Sequence, residues 1–182
     1  MRVRKWDGAL RALAVLVVGL GVAGASSEEV QKIPHSLPFN VSKQGFTVES
    51  AFEVHEEAWY GIDLTYLYGR GEISVNDRTL VWHLVGGSEK NSKTRQWEEP
   101  GAPLELEILL RREEPGKTVE VLRRHVVQPR LSSWGEDTLT TELAAARLPS
   151  GRYHLIVRSL AAAPMLQDIR ARIDVIRAYR GK

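Results

Sequence analysis

Cysteine is absent from this 182-residue sequence. Disulfides, thiolate metal ligands and cysteine nucleophiles are therefore excluded. The cysteine-linked lipid that anchors bacterial lipoproteins is excluded for the same reason. An exported domain without disulfides has to be stabilised by the packing of its core.

Motifs for catalysis and metal binding are also missing. The sequence has no G-x-S-x-G elbow, no H-E-x-x-H motif and no Ser three residues before a Lys. No two of its histidines are three or four residues apart. His55 and Glu57 offer only two ligands, whereas zinc takes three or four from protein. We expect no catalytic residues, no metal site and no cofactor, and hence a protein that is not an enzyme. The five histidines are His35, His55, His83, His125 and His154.

A hydrophobic run long enough to span a bilayer is not evident. The uncharged stretch Ala12–Ala25 has 14 residues, against the ~20 that a spanning helix needs. It follows a basic N-terminus and ends in Ala23-Gly24-Ala25, which places small residues at the −3 and −1 positions of a cleavage site. The pattern predicts a signal peptide over residues 1–25, cleaved after Ala25. We expect a mature protein without a transmembrane span, located in the periplasm or secreted.

The slight excess of positive charge belongs to this predicted signal peptide. The whole chain has 25 Lys and Arg against 23 Asp and Glu, a net charge of +2, and removal of residues 1–25 leaves 21 against 22, or −1. Because nucleic-acid-binding domains usually carry a clear basic excess, we expect no nucleic-acid partner. The remaining 157 residues suit one domain, which buries about 70% of the surface of its unfolded chain.

Apolar and polar residues alternate along most of the mature chain. In residues 46–54, for example, Phe46, Val48, Phe52 and Val54 share a face. This period of two predicts strands with one buried face, and intervening turn residues are typical of an antiparallel β-sandwich. The polar segment 26–37 predicts a flexible leader or a loosely held edge, which leaves 38–182 as a single β-sandwich domain. Strands are expected at 46–54, 59–68, 104–111, 117–127, 138–145, 152–159 and 168–177.

Turn and helix signals complete the pattern. Pro115 and Gly116 predict a type II turn, and therefore a hairpin between the strands on either side. The stretch "NDRTLVWHLVGG" predicts one short helix that begins at Asn76 or Asp77 and ends at Gly86. A strand remains open as the alternative, since alternating Leu and Trp residues also suit a strand face. The following segment, 86–103, is a long polar loop, and such loops are commonly functional or mobile.

The stretch "AWYGIDLTYLYG", residues 58–69, packs one Trp and three Tyr into twelve positions. Such a density can mark a stacking platform or a core strand. As one strand, it places the three tyrosines on the same face as Ile62 and Leu64, and leaves Trp59 on the other. We therefore predict a central core strand, in which each buried phenol needs a hydrogen-bond partner or a path to water.

Several segments together resemble a known family. They are "FNVSKQGFTVESAFEV", "YGIDLTY", "HLVGG", "EEPGAPLELEI", "SSWGEDT" and "LPSGRYHLIVRSLAAAPMLQDIRARIDV". Over residues 37–175 the sequence resembles an uncharacterised family of exported bacterial proteins known only as a domain of unknown function. The resemblance implies an immunoglobulin-like or jelly-roll-like β-sandwich in the envelope of Gram-negative bacteria. It implies no activity and no site residues. Some members look like lipoproteins, from which this chain departs because it has no Cys.

Two sets of residues are candidates for contact with a ligand or partner. Trp97 and Trp134 lie in predicted loops, where they either face a ligand or plug the ends of the core. Arg170, Arg172 and Arg177 belong to a basic C-terminal run that either contacts an anionic lipid or polysaccharide or protects an edge strand from self-pairing.

These observations favour binding over catalysis. We expect an exported, non-catalytic binding or interaction protein of the cell envelope, whose recognition surface is carried by loops on a rigid scaffold. Its partner is a protein or a glycan. One alternative is a carbohydrate-binding module that uses the same tryptophans, and another is an immunity-type or adaptor protein that binds a secreted protein.

Overall fold

The computed structural model describes residues 31–68, 77–87, 92–96 and 100–179. The predicted signal peptide and Trp97 lie outside these residues. Within them the chain forms strands, one α-helix and a short 3-10 turn. The strands are β1 (Gln31–Lys32), β2 (His35–Phe39), β3 (Thr47–Val54), β4 (Ala58–Leu67), β5 (Glu105–Glu114), β6 (Lys117–Val127), β7 (Ser133–Trp134), β8 (Thr138–Leu148), β9 (Gly151–Ser159) and β10 (Arg170–Arg177); the helix is α1 (Asp77–Leu84), and the 3-10 turn is Pro164–Leu166.

The strands form two five-stranded sheets that pack face to face. Sheet A has the order β1-β3-β9-β5-β6, and sheet B has the order β2-β10-β4-β8-β7. All neighbouring strands are antiparallel except β1 and β3, which pair in parallel over two residues. The inward-facing residues of both sheets make one hydrophobic core, so the predicted all-β sandwich is confirmed.

The alternating pattern correctly predicts which residues face the core. Leu106, Ile108, Leu155 and Val157 are each 0% exposed, because every second side chain of a strand points to the same face. The predicted hairpin is formed by β5 and β6. At its tip Gly116 has a φ of 75°, a backbone conformation that glycine adopts without steric cost.

The tyrosine-rich strand β4 lies at the centre of sheet B, between β10 and β8. Tyr60, Tyr66 and Tyr68 are buried, whereas Trp59 is 43% exposed, as predicted. The Tyr60 hydroxyl donates to the carbonyl oxygen of Glu56 at 2.9 Å, and the Tyr68 hydroxyl donates to that of Gly135 at 2.9 Å. These bonds anchor the chain segments next to the strand, so β4 is a structural strand rather than a stacking platform.

A second tyrosine repeats the arrangement of Tyr60 on the other sheet. The Tyr153 hydroxyl donates to the carbonyl oxygen of Pro149, four residues earlier, at 2.8 Å. Both tyrosines therefore fasten a corner at which the chain passes from one sheet to the other, as the tyrosine corner of immunoglobulin-type sandwiches does.

The predicted helix is confirmed as α1. It ends before Gly86, whose φ of 85° is the left-handed conformation common just beyond a helix C-terminus. Val81 and Val85 are buried against the core, but Leu80 is 57% exposed. The buried face of α1 is therefore narrow, because a two-turn helix at the end of a sandwich presents few positions to the core.

The two ends of the domain differ in their position in the sheets. Residues 26–37 were expected to form a flexible leader or a loosely held edge, and the described part contains β1 and most of β2, each at the edge of a sheet, so the ordered sandwich begins before residue 38. Strand β10, in contrast, is not an edge strand, because it pairs with both β2 and β4. Protection of a sheet edge therefore does not explain the basic residues of β10.

Candidate binding surfaces

Trp134 lies at one end of the sandwich, in the short edge strand β7. Its ring is 5.6 Å from that of Trp82 in α1, centroid to centroid, at an interplanar angle of 70°. This is the edge-to-face geometry that aromatic pairs favour. Although Trp134 is held by this contact, it remains 64% exposed. We call these two residues the aromatic pair.

Contacts at Gly87 and Gly135 hold the two chain segments that carry the aromatic pair. The Gly87 amide donates to the carbonyl oxygen of Trp82 at 2.7 Å, and a Cβ on Gly87 would approach the Trp82 indole to 2.4 Å. The Trp82 indole therefore lies directly against Gly87. Any larger residue at position 87 would displace the indole. On the other side, the turn after Trp134 is fastened by the hydrogen bond from Tyr68 to Gly135.

The structure identifies a neighbour for Trp134 that the sequence analysis did not propose. Trp97 lies outside the described residues, so the prediction that it contacts a ligand or partner stays a prediction. In the sequence, Trp82 belongs only to a pattern that fits a helix or a strand. Its contact with Trp134 depends on the distance between α1 and β7. The exposure of Trp134 shows that it does not plug the core.

The three candidate arginines of β10 do not form one patch. At the C-terminal end of the strand, Arg177 donates from Nη1 and Nη2 to the two carboxylate oxygens of Glu56, each at 2.9 Å. Near the middle, Arg172 Nε donates to Asp174 Oδ2 at 2.9 Å. Arg170, at the other end, makes no ion pair within the described residues.

Arg170 and Arg172 border a groove between β2, β10 and the end of β4. Its volume is about 610 Å³, within the range typical of small-molecule sites. The groove is mainly apolar, and its lining includes Phe39, Phe46 and Ile169. The rings of Phe39 and Phe46 meet edge to face with centroids 5.5 Å apart. None of the described residues that line it is acidic.

A buried polar cluster lies beside this groove. His35 on β2 is 8% exposed, and its Nε2 is 2.9 Å from Ser50 Oγ. Burial lowers the pKa of His35, and the nearby Asp174 carboxylate raises it by a smaller amount. Asp174 also accepts a hydrogen bond from the Ser36 hydroxyl. These contacts tie β2 to both β3 and β10.

The sequence match to a family is decisive for classification. The profile of a family described as "Domain of unknown function (DUF5625)" matches residues 36–177. The chain belongs to the DUF5625 family. No curated protein matches it.

A solved structure resembles this DUF5625 protein in fold. It is the crystal structure of GEBA250068378 from Sulfurospirillum deleyianum, with a TM-score of 0.64 over 81% of this chain and 98% of that one. The two sequences are 15% identical. At this level the likeness establishes a shared architecture alone.

The outer face of sheet A is covered by ion pairs in this DUF5625 protein. Glu105 contacts His125 at 2.7 Å, and Glu113 contacts both His154 and Arg152. Across the described part of the chain, no three metal-ligating side chains come together. None of the helices in that part is long and apolar enough to cross a membrane.

Proposed function

We propose that this DUF5625 protein is exported to the cell envelope and acts there as a non-catalytic binding protein. The N-terminal sequence pattern supports export to the periplasm or beyond. One structural observation carries the binding proposal: Trp134 is 64% exposed while its ring is held by Trp82. A large apolar side chain that is both exposed and held in place is well suited to anchor a partner.

The energetics of interfaces explain why this residue is a good anchor. Tryptophan is enriched among the few interface residues that contribute most of the binding free energy. An anchor that is already ordered loses little side-chain entropy on binding. Because the Trp134 ring packs on Trp82, whose indole lies against Gly87, the anchor is ordered in the free protein, and we assign the aromatic pair as the contact surface.

A protein partner suits this geometry better than an extended sugar chain. Sugars stack on the flat faces of aromatic rings, and an extended chain is best served by faces that lie in one plane. The rings of Trp82 and Trp134 are 70° from coplanar, so Trp134 offers a single projecting ring. We therefore assign a protein of the envelope as the partner. In this assignment the DUF5625 protein itself acts as an adaptor or immunity-type protein.

Co-purification tests this assignment. The tagged protein is expressed in its own host, purified from the envelope fraction, and compared with Trp134→Ala. Met165→Ala is the matched control, because Met165 is 57% exposed but lies in the 3-10 turn. We expect a protein partner to co-purify stoichiometrically with the wild type and with Met165→Ala. With Trp134→Ala, the amount of co-purified partner should fall about tenfold or more. Equal recovery with all three proteins would rule out Trp134 as the contact.

A carbohydrate-binding module is the second candidate, favoured by the exposed indole face of Trp134. A glycan array distinguishes it from the first. Binding of an envelope glycan that is lost in Trp134→Ala would establish the module and contradict the protein-partner assignment. Export is tested separately, since the protein recovered from the envelope should begin at Ser26.

A further inference from the structure

The groove beside β10 combines an apolar lining with a cationic border. We propose that it binds a long-chain carboxylate, a single alkyl chain that ends in a carboxylate group. This site is independent of the aromatic pair, and the ligand is a small amphiphile rather than a protein.

The lining of the groove suits an alkyl chain. Phe46 lines the groove with its ring edge to face on the buried Phe39, and Leu67 and Ile169 extend the apolar lining. Burial of an alkyl chain against such residues is favourable because it removes apolar surface from water. A groove of about 610 Å³ has room for one such chain but cannot enclose a phospholipid with two.

The border of the groove suits an anionic head group. Arg170 is exposed and has no carboxylate partner among the described residues. The guanidinium group offers paired N–H donors whose geometry matches the two oxygens of a carboxylate. Among the described residues that line the groove the charged ones are Arg170 and Arg172, and the neighbouring Asp174 carboxylate is paired with Arg172.

Arg172 contributes to the same border in a fixed position. Its Nε is bound to Asp174 Oδ2, and Asp174 is held in turn by Ser36. The ion pair offsets part of the charge of Arg172, whereas Arg170 has no carboxylate partner among the described residues. We therefore assign Arg170 as the main contact for the carboxylate and Arg172 as a weaker one.

Isothermal titration with dodecanoate below its micelle concentration tests the proposal. The comparison is with Arg170→Gln and with Arg158→Gln, which makes the same change in charge on β9 in sheet A. We expect saturable binding of one dodecanoate to the wild type and to Arg158→Gln, and an affinity reduced about tenfold by Arg170→Gln. Dodecanol should bind the wild type more weakly than dodecanoate and be insensitive to Arg170→Gln.

The location is tested by NMR, in which the chain protons of dodecanoate should show contacts with the Phe46 ring and none with Val127 on β6. Absence of saturable binding, or equal losses in the two arginine variants, would overturn the proposal. Arg170-dependent binding to phosphatidylglycerol vesicles without binding of dodecanoate would show a membrane contact instead, and would overturn it as well.

Discussion

The indole of Trp134 meets the indole of Trp82 edge to face, with centroids 5.6 Å apart. Trp82 is partly buried against the core, while Trp134 is 64% exposed. The two residues therefore have different roles, since one belongs to the scaffold and the other projects from it. This difference leads to a stability prediction that does not require the partner to be known.

Trp134→Ala should leave the free energy of unfolding nearly unchanged, with a loss below about 1 kcal/mol from the edge-to-face contact. Trp82→Ala should cost about 2 kcal/mol or more, because it removes buried contacts and the support of Gly87. Urea unfolding followed by circular dichroism measures both values. A loss of several kcal/mol in Trp134→Ala would assign that ring to packing rather than to binding.

The same substitution, Tyr→Phe, should have different effects at three buried positions. At Tyr60 and Tyr153 it removes a hydroxyl that is hydrogen-bonded to a backbone carbonyl, and should cost about 1 kcal/mol at each. The Tyr66 hydroxyl is fully buried and makes no well-formed hydrogen bond with any described residue, so Tyr66→Phe should be neutral or stabilising. Urea unfolding of the three variants checks this order, and a largest loss at Tyr66 would contradict it.

Burial of the Tyr66 hydroxyl should also affect how the stability of the protein depends on pH. Burial raises the pKa of Tyr66 far above its ordinary value, and its neighbour Thr141 lowers it by less. The phenol should therefore stay protonated in the folded protein at pH values where the unfolded chain ionises, and stability should fall as the pH rises above about 10. Tyr66→Phe should weaken that alkaline loss in a pH series of unfolding measurements.

Acid should destabilise the protein in part through His35. Because its pKa is lowered in the folded state, the unfolded chain takes up this proton at a higher pH than the folded one. The contribution of His35 to the stability of the folded state is fully present above about pH 6.5. It is lost as the pH falls from there towards the lower pKa that His35 has in the folded protein. His35→Gln should flatten this decline, whereas His55→Gln, at an exposed site, should not. An unchanged decline in His35→Gln would contradict the assignment.

Gly101 should tolerate no side chain. A Cβ at this position would lie 1.8 Å from the backbone oxygen of Gln128, which cannot move without shifting the chain next to β6. Gly101→Ala should therefore cost more than about 2 kcal/mol. Gly116→Ala is the control, because that Cβ meets nothing within 4 Å and the cost is limited to the strain of a positive φ, about 1 kcal/mol. Similar midpoints of thermal unfolding for the two variants would contradict this account.

Local patterns in the sequence predict the sandwich well but predict its surfaces poorly. The alternation in 104–111 and 152–159 identifies buried positions because it depends only on the period of a strand. The strand His35–Phe39 was missed because it is short, and its histidine and proline obscure the apolar face. Its burial depends on pairing with β10, more than 130 residues later.

The candidate sites depend on such long-range contacts even more strongly. Exposure of Trp134 and support by Trp82 follow from the approach of α1 to β7, which no local pattern reports. Likewise, Arg177 is neutralised by Glu56, 121 positions away, while Arg170 remains available. Separation of the candidate residues into paired and unpaired members therefore required the fold, and their contact with a ligand or partner stays a prediction.

In-cell photo-crosslinking asks whether the exposed ring at position 134 contacts a protein of the envelope. A photoreactive amino acid is placed at position 134 of the protein in its own host, and at position 127 as a control, because Val127 is 58% exposed on the edge strand β6. The account predicts a discrete adduct with one envelope protein from position 134 and none from position 127. No adduct at position 134, or the same adducts at both positions, would contradict it.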